Sequence, residues 1–335
     1  MFGQYFSDHM FIVDYIDGEW VSPRVTPVEP MSIHPGNMTF HYGQAIFEGM
    51  KATKDKDGHP MLFRPEMHAK RINSSASRLC MPELPEELFL QAVRTLVDID
   101  SDWIPPIKGS ALYLRPFMIA MDNHVGVRAS NTYRFIIVTL PVGPYYPKPV
   151  SLLAEETYIR AAMGGVGEAK AAGNYAAALY PTRLANQKGY DQVLWLDAKE
   201  FKYIQEVGTM NIFFVIDGKV ITPSTEGTIL KGITRDSFLQ VLASRGIEVE
   251  QRAITIDEII DALKAGKLEE CFGAGTAAVV AKVNRIGYQG TDYMVPSHYT
   301  IANMLKETID GLRYGTIEDE WSWTEKVAAT QSVNA

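Results

Sequence analysis

The chain has 335 residues, a formal net charge of −8 and a pI near 5.5. At 46% hydrophobic and 21% charged residues it has an ordinary globular composition, long enough for two domains or one large one. The acidic balance argues against a nucleic-acid partner, and no block of like charge offers a tail for a membrane or a partner. The longest apolar runs, FIIV and NIFFVI, are strand-length and far short of the roughly 20 residues of a membrane helix. The N-terminal MFGQYFSDHMFIV lacks the basic and apolar regions of a secretory signal. Cys80 and Cys271 are too few and too far apart for a disulfide scaffold or a thiol metal cluster. These features predict a cytoplasmic protein with no membrane and no nucleic-acid partner.

Strand-like runs alternate with helical patterns, which predicts a mixed α/β or α+β chain. FIVDYIDGEWV reads as a hairpin turning on Asp17-Gly18. Residues 65–79 read as a helix opened by a proline. PEELFLQAVRTLVDID reads as an amphipathic helix with Phe89, Ala92, Val93, Leu96 and Val97 on one face. SALYLRPFMIAM and TYRFIIVTL read as strands. LPVGPYYPKPV, residues 140–150, breaks both helix and strand. It predicts a smaller N-terminal α/β domain over 1–143, an interdomain loop over 144–150 and a larger C-terminal domain over 151–335. The segment 174–187 is helical by pattern, but Pro181 inside it predicts a kink or a break. VLWLDAKEFKYIQEV and NIFFVIDGKVITP read as two more hairpins, the second turning on Asp217-Gly218. ITRDSFLQVLASRG predicts a helix closed by Gly246, and IDEIIDALKAGK another. CFGAGTAAVVAKV reads as a Gly-rich turn running into a strand, and YTIANMLKETIDGLRYG as a C-terminal helix.

Several chemistries fail on spacing. GGVGEAK, residues 164–170, is neither a phosphate loop nor GxGxxG: Ala169 precedes the lysine, Ala171 follows it, and Lys170 stands where the third glycine belongs. The seven histidines form no HExxH and no Cys/His pairing, so no built-in metal site is expected. His34 and His41 read as structural. No GxSxG serine elbow is present.

Lys170, in GEAKAAGNYAAA, is the candidate that survives. A lysine among small residues is either tolerated in an Ala-rich helix start or is a nucleophilic amine that forms a Schiff base with an aldehyde. Three further segments are of the type that a pyridoxal phosphate site needs. Glu206, in YIQEVGTMN, is a solvated strand-end acid or the partner of a pyridine nitrogen. KGITRDSF, 231–238, is plain capping or a helix start whose Ile233 and Thr234 N–H groups face an anion. GAGTAAVV, 273–280, is a tight turn or a loop whose N–H groups and Thr276 hydroxyl hold a phosphate or carboxylate.

The blocks FSDHM, HPG, HYGQAIFEGMKA, LFRPEMHAKR, LYLRP, PVGPYY, GEAKAAGNY, QVLWLD, QEVGTMN, KGITR and FGAGTAAVV run from about Tyr5 to the C-terminal helix. With them the sequence closely resembles the branched-chain amino acid aminotransferases, two-domain α+β (mixed α/β) enzymes of pyridoxal phosphate fold type IV, similar to D-amino acid aminotransferase. The resemblance implies pyridoxal 5′-phosphate as cofactor and a ping-pong transfer between L-leucine, L-isoleucine or L-valine and 2-oxoglutarate. It implies that Lys170, in the larger domain, joins the cofactor and shuttles the proton. By the same resemblance Tyr175 meets the cofactor's phenolic oxygen, Glu206 its pyridine nitrogen, and Arg71, Ile233, Thr234 and Thr276 its phosphate. Tyr42, Phe47, Tyr113 and Tyr145 correspond to the walls of the side-chain pocket. Arg115 corresponds to the group that receives glutamate's distal carboxylate, and Thr276 and Ala277 to the turn that holds the α-carboxylate. Val125 and Val127 correspond to a loop lent by the partner subunit of a homodimer. A redox CxxC found in some animal members is replaced here by Ala278 and Ala281. The alternatives are other fold type IV enzymes, a D-amino acid aminotransferase or an aminodeoxychorismate lyase, and a non-catalytic carrier of the cofactor.

Overall fold

Asp17 and Gly18 both take positive φ, 51° and 89°. This is the turn geometry that matches strand twist in a two-residue hairpin, and β1 (His9–Ile16) pairs antiparallel with β2 (Glu19–Pro27) across it. The computed structural model describes residues 3–144, 146 and 148–328. The chain divides into two units, Met1–Tyr145 with Ala169–Ala172 and Thr308–Ala335, and Tyr146–Glu168 with Gly173–Glu307.

In the first unit the hairpin extends an antiparallel sheet. Its other strands are β3 (Ala45–Phe47), β4 (Met50–Lys54), β5 (Pro60–Phe63), β6 (Ala111–Ala120), β7 (Tyr133–Val142) and, from the end of the chain, β17 (Thr324–Lys326). The order is β17-β5-β4-β6-β7-β1-β2, with β3 on β6. A short helix α1 (Met38–Tyr42) precedes β3. Helices α2 (Pro65–Arg78) and α3 (Glu86–Ile99) belong to the same unit. The face of α3 predicted to be apolar is buried at every position: Phe89, Ala92, Val93, Leu96 and Val97 pack with Leu112 and Phe135 of the sheet. The 3.6-residue spacing puts these side chains on one side, and burial of each stabilises the unit by about 1.5–3 kcal/mol for the larger ones.

The second unit is built on a mixed sheet. Its strands are β8 (Val150–Ala154), β9 (Gln192–Leu196), β10 (Ile204–Val207), β11 (Asn211–Ile216), β12 (Lys219–Thr222), β13 (Val249–Gln251), β14 (Leu268–Gly275), β15 (Val279–Tyr288) and β16 (Thr291–Met294). The order is β10-β9-β8-β15-β14-β11-β12-β13, with β16 on β15. Strand β8 runs parallel to β9 and β15, and β12 parallel to β13. The helices that follow Lys170 are α4 (Ala172–Gln187), α5 (Ile233–Ser244), α6 (Ile256–Lys264) and α7 (Thr300–Arg313). The mixed α+β class expected from the sequence is the class observed. Among the described residues no helix is long and apolar enough to cross a membrane.

Two local expectations need correction. Helix α4 runs unbroken through Pro181. A proline there removes one backbone donor, and the turn is supported by the Thr182 hydroxyl, which donates to the Ala178 carbonyl at 2.7 Å. The glycines of CFGAG lie inside strand β14, and the turn itself is confined to residues 276–278. A second buried acid, Glu270 on β14, is fully occupied structurally: its oxygens accept the N–H groups of Ile301 and Ala302 at 2.7 and 2.9 Å, in the first turn of α7.

Phe89 has no solvent exposure and lies 5.9 Å from the Phe135 ring. Phe89→Ala is expected to lower stability by about 3–5 kcal/mol in denaturant unfolding. A loss below about 1 kcal/mol, the range of a surface change, would mean that α3 is not packed as described.

Candidate active site

Lys170 is held by its backbone. Its N–H donates to the Ser75 hydroxyl of α2 at 2.9 Å, and its carbonyl accepts the Phe47 N–H of β3 at 3.0 Å. Ala171 forms a β-bridge with Ile46. The half-buried lysine is therefore an extra strand residue on the edge of β3, fixed from both sides. Its Nζ lies 4.9 Å from the centre of the Phe47 ring. The Arg115 guanidinium lies over the same ring at 4.7 Å and donates to the Tyr113 hydroxyl at 3.1 Å. Alternation along β6 puts residues 113 and 115 on the same face of the sheet. Lys170, Phe47, Tyr113 and Arg115 are thus brought together within the first unit. A Cβ at Gly49 would run into the Tyr113 hydroxyl, so the glycine makes room for that ring.

Arg71 also belongs to this unit. It sits on α2 and makes a two-pronged contact with Glu48, at 2.7 and 2.8 Å. His68, one turn earlier, donates to the same carboxylate at 2.6 Å. Burial alone would raise the Glu48 carboxyl, but Arg71 and His68 override it and hold it well below the usual carboxylate range. Burial pushes His68 down, and the nearby Glu48 only partly offsets this. The imidazole is therefore a neutral N–H donor to the carboxylate, not half of an ion pair.

The second unit holds the other candidates. Glu206, on β10, is 3% exposed, which removes the reading of a solvated strand-end acid. Its Oε1 accepts the Leu230 N–H at 2.7 Å and an Arg160 N–H at 3.1 Å. Arg160 is itself buried, and the same terminal nitrogen donates to the carbonyls of Gly167 and Thr228 at 3.0 and 2.7 Å. One guanidinium thereby joins three segments: the acid, the loop leading to Lys170 and the loop leading to α5. The close approach of those two loops needs a glycine, because a Cβ at Gly167 would meet the Thr228 carbonyl.

Ile233 and Thr234 form the first turn of α5. The N-cap, Gly232, supplies no side-chain bond to them. Asn211 donates to the Leu230 carbonyl at 2.9 Å, and its Oδ1 occupies the space that a Cβ at Gly232 would need. An anion meets donors and a positive dipole end at such a terminus. Thr276 and Ala277 are half-buried in the turn between β14 and β15. Tyr175 is half-buried in the first turns of α4, beside Asn174, which donates to the Val166 carbonyl at 2.9 Å.

Three of the predicted pocket residues stand apart from the Lys170 cluster. Tyr42 closes α1 at 38% exposure, and Val125 and Val127 follow β6 at 69% and 89%. Tyr145 lies outside the described residues. Sequence reading missed Glu48, His68, Ser75, Arg160 and Asn211. Glu48 had a signal, an acid inside the apolar run AIFEGM, and the spacing of His68, Arg71 and Ser75 marks one face of a helix. Arg160 had none, since YIRAAMGG has no periodic pattern.

Comparison with known proteins agrees with this geometry. The model of the class IV amino-transferase family matches residues 45–286. A Bacillus subtilis protein named branched-chain-amino-acid aminotransferase 2 is 48% identical over 334 residues, covering 98% of this chain and 92% of that protein. A solved Escherichia coli branched-chain amino acid aminotransferase is 26% identical with a TM-score of 0.76, covering 96% of this chain and 99% of that one. Another branched-chain amino acid aminotransferase, from T.th. and solved with pyridoxamine 5′-phosphate, shares the fold at 24% identity and a TM-score of 0.78, covering 97% of this chain and all of that one. Site, fold and likeness over almost the whole chain converge, and the protein belongs to the branched-chain amino acid aminotransferases of the class IV aminotransferase family.

Proposed function

We propose that the protein transfers the amino group of L-leucine, L-isoleucine or L-valine reversibly to 2-oxoglutarate, giving branched 2-oxo acids and L-glutamate, with pyridoxal phosphate as cofactor. The observation that carries the substrate side is a cavity of about 420 Å³ in the first unit. Met10, Phe117, Ile136 and Leu140 give it apolar walls, and Tyr113 and Arg115 line it as well. Apolar walls take an aliphatic side chain, and a guanidinium receives a distal carboxylate. A pocket that serves both half-reactions needs both chemistries.

The residues fit the cofactor. Glu206 is a buried acceptor suited to a protonated ring nitrogen, and Arg160 beside it favours the ionised carboxylate. Arg71, the uncapped start of α5 and the Thr276 hydroxyl are donors for a phosphate. Tyr175 would donate to the phenolic oxygen, and Lys170 would hold the aldehyde carbon. When bound, pyridoxal phosphate supplies a carbonyl that accepts and returns an amino group and a ring that stores an electron pair. The protein's own part is positioning and proton transfer. Lys170 Nζ takes the proton from the substrate Cα and delivers it to the cofactor's C4′, acting as base and then as acid. N–H groups of the turn at Thr276 and Ala277 orient the α-carboxylate. Arg115 serves the distal carboxylate of glutamate, and Tyr42, Phe47, Tyr113 and Tyr145 shape the pocket. The first product leaves before the second substrate enters, which makes the kinetics ping-pong.

The exposed Val125 and Val127 support a second proposal within this reading. Two apolar side chains on one open loop suit burial against another copy of the chain. The working unit would be a homodimer in which this loop completes the partner's pocket, active in the cytoplasm on free amino acids and 2-oxo acids.

Two results are expected. The holoenzyme should turn over L-leucine with 2-oxoglutarate, and Arg115→Ala should raise KM for 2-oxoglutarate about 10- to 100-fold, the ~1.5–3 kcal/mol of a charge-assisted hydrogen bond, with little change for leucine. Turnover of D-alanine without L-leucine would contradict the substrate assignment and favour the D-amino acid alternative. Arg160→Met leaves a buried carboxylate without its cation, so it should lower stability by about 3–5 kcal/mol and depress kcat, with Arg160→Lys intermediate. An unchanged unfolding midpoint and kcat in Arg160→Met would refute the role given to that pair.

A further inference from the structure

Residues 47, 48 and 49 each hold a different part of the first unit's site. The Phe47 N–H holds the Lys170 carbonyl, Glu48 holds Arg71, and Gly49 makes room for the Tyr113 hydroxyl. The middle residue is the unusual one. Glu48 has no solvent exposure, and four donors converge on it: Arg71 Nε on Oε1 at 2.7 Å, and Arg71 Nη2, His68 Nδ1 and the Gly49 N–H on Oε2 at 2.8, 2.6 and 3.2 Å. Its own N–H donates to the Pro116 carbonyl at 2.7 Å, which ties the residue to β6 as well.

Stability alone is a weak reason for such a group. Burying an ion pair often gains nothing over apolar residues of similar size, because desolvation offsets the attraction. What a two-pronged contact does supply is orientation, since both bonds lie in the plane of the guanidinium. The neutral His68 locks the carboxylate from the side, so the plane of Arg71 is fixed from below by two residues on α2 and one on the β3–β4 turn.

We propose that Glu48 is a positioning residue for cofactor binding: it sets the plane of the Arg71 guanidinium, and so the direction in which that side chain meets the cofactor's phosphate. This rests on the reading of Arg71 as a phosphate ligand. Arginine swings through many rotamers when unheld, and fixing one of them before the ligand arrives raises affinity by removing that ordering step. The effect belongs to the phosphate alone.

The test compares two ligands on the full chain, freed of cofactor and titrated back by absorbance with pyridoxal phosphate or with pyridoxal, which lacks the phosphate. Glu48→Gln keeps the shape and removes the charge. It should weaken pyridoxal phosphate about tenfold or more, while pyridoxal binding stays within about twofold. Equal losses for both ligands, or no loss, would overturn the proposal. Glu48→Asp keeps the charge but withdraws it by one methylene, and should show a smaller loss of the same selective kind. If neither variant yields a cooperatively unfolding protein, Glu48 is a structural group and the proposal fails. Arg71→Ala separates this from the parent reading. If it leaves the preference for pyridoxal phosphate over pyridoxal intact, Arg71 is not the phosphate ligand. If it removes that preference while Glu48→Gln does not, only the role of Glu48 is lost.

Discussion

Taking a carboxylate out of water costs several kcal/mol unless a cation and further donors replace the lost hydration. The Glu206–Arg160 pair is where the second unit meets that demand, and much of its local architecture follows. Arg160 can reach Glu206 only if the loops at Gly167 and Thr228 come close enough to give it their carbonyls. Their approach requires a residue without a side chain at 167. The loop so placed runs on to Leu230, whose N–H is the second donor to Glu206, and to Gly232, where α5 begins. An acid for a ring nitrogen and a helix start for a phosphate are therefore parts of one hydrogen-bonded assembly.

The first unit repeats the device with other residues. Glu48 is buried against Arg71 and His68, and the backbone on its N-terminal side clamps the lysine segment. Neither acid has the arrangement of Glu270, whose oxygens are both spent on the start of α7. Burial of a charge thus has two uses in this protein. One holds a helix in place, and the other holds a charged side chain in a fixed orientation for chemistry. Catalysis by positioning requires that kind of rigidity, because a misplacement of about 1 Å can cost about 100-fold in rate.

How much of this is legible in the sequence depends on whether the cause is local. The α3 face and the hairpins at Asp17-Gly18 and Asp217-Gly218 are set by periodicity and turn chemistry within a few residues, and they form where expected. Lys170 stands out because small residues surround it, and Glu206 because it closes a strand in a set of blocks with a family resemblance. The partners of these residues are not local. Arg160 is 46 residues from Glu206, and Ser75 is 95 from Lys170. No window of sequence carries those contacts. The same holds for Ala169–Ala172, which groups with the first unit because it pairs with β3, and for the end of the chain, where β17 adds to β5. Pro181 shows the opposite failure: the local rule against proline is real, but it removes one donor from a helix held by many.

The central claim is that Lys170 is the residue that carries the cofactor. Sodium borohydride reduces the link between a lysine and pyridoxal phosphate to a stable amine, so treatment of the holoenzyme followed by digestion and mass spectrometry locates it. The account predicts a single pyridoxyl-phosphate adduct, on the peptide containing Lys170. An adduct on another lysine, with the Lys170 peptide unmodified, would contradict it.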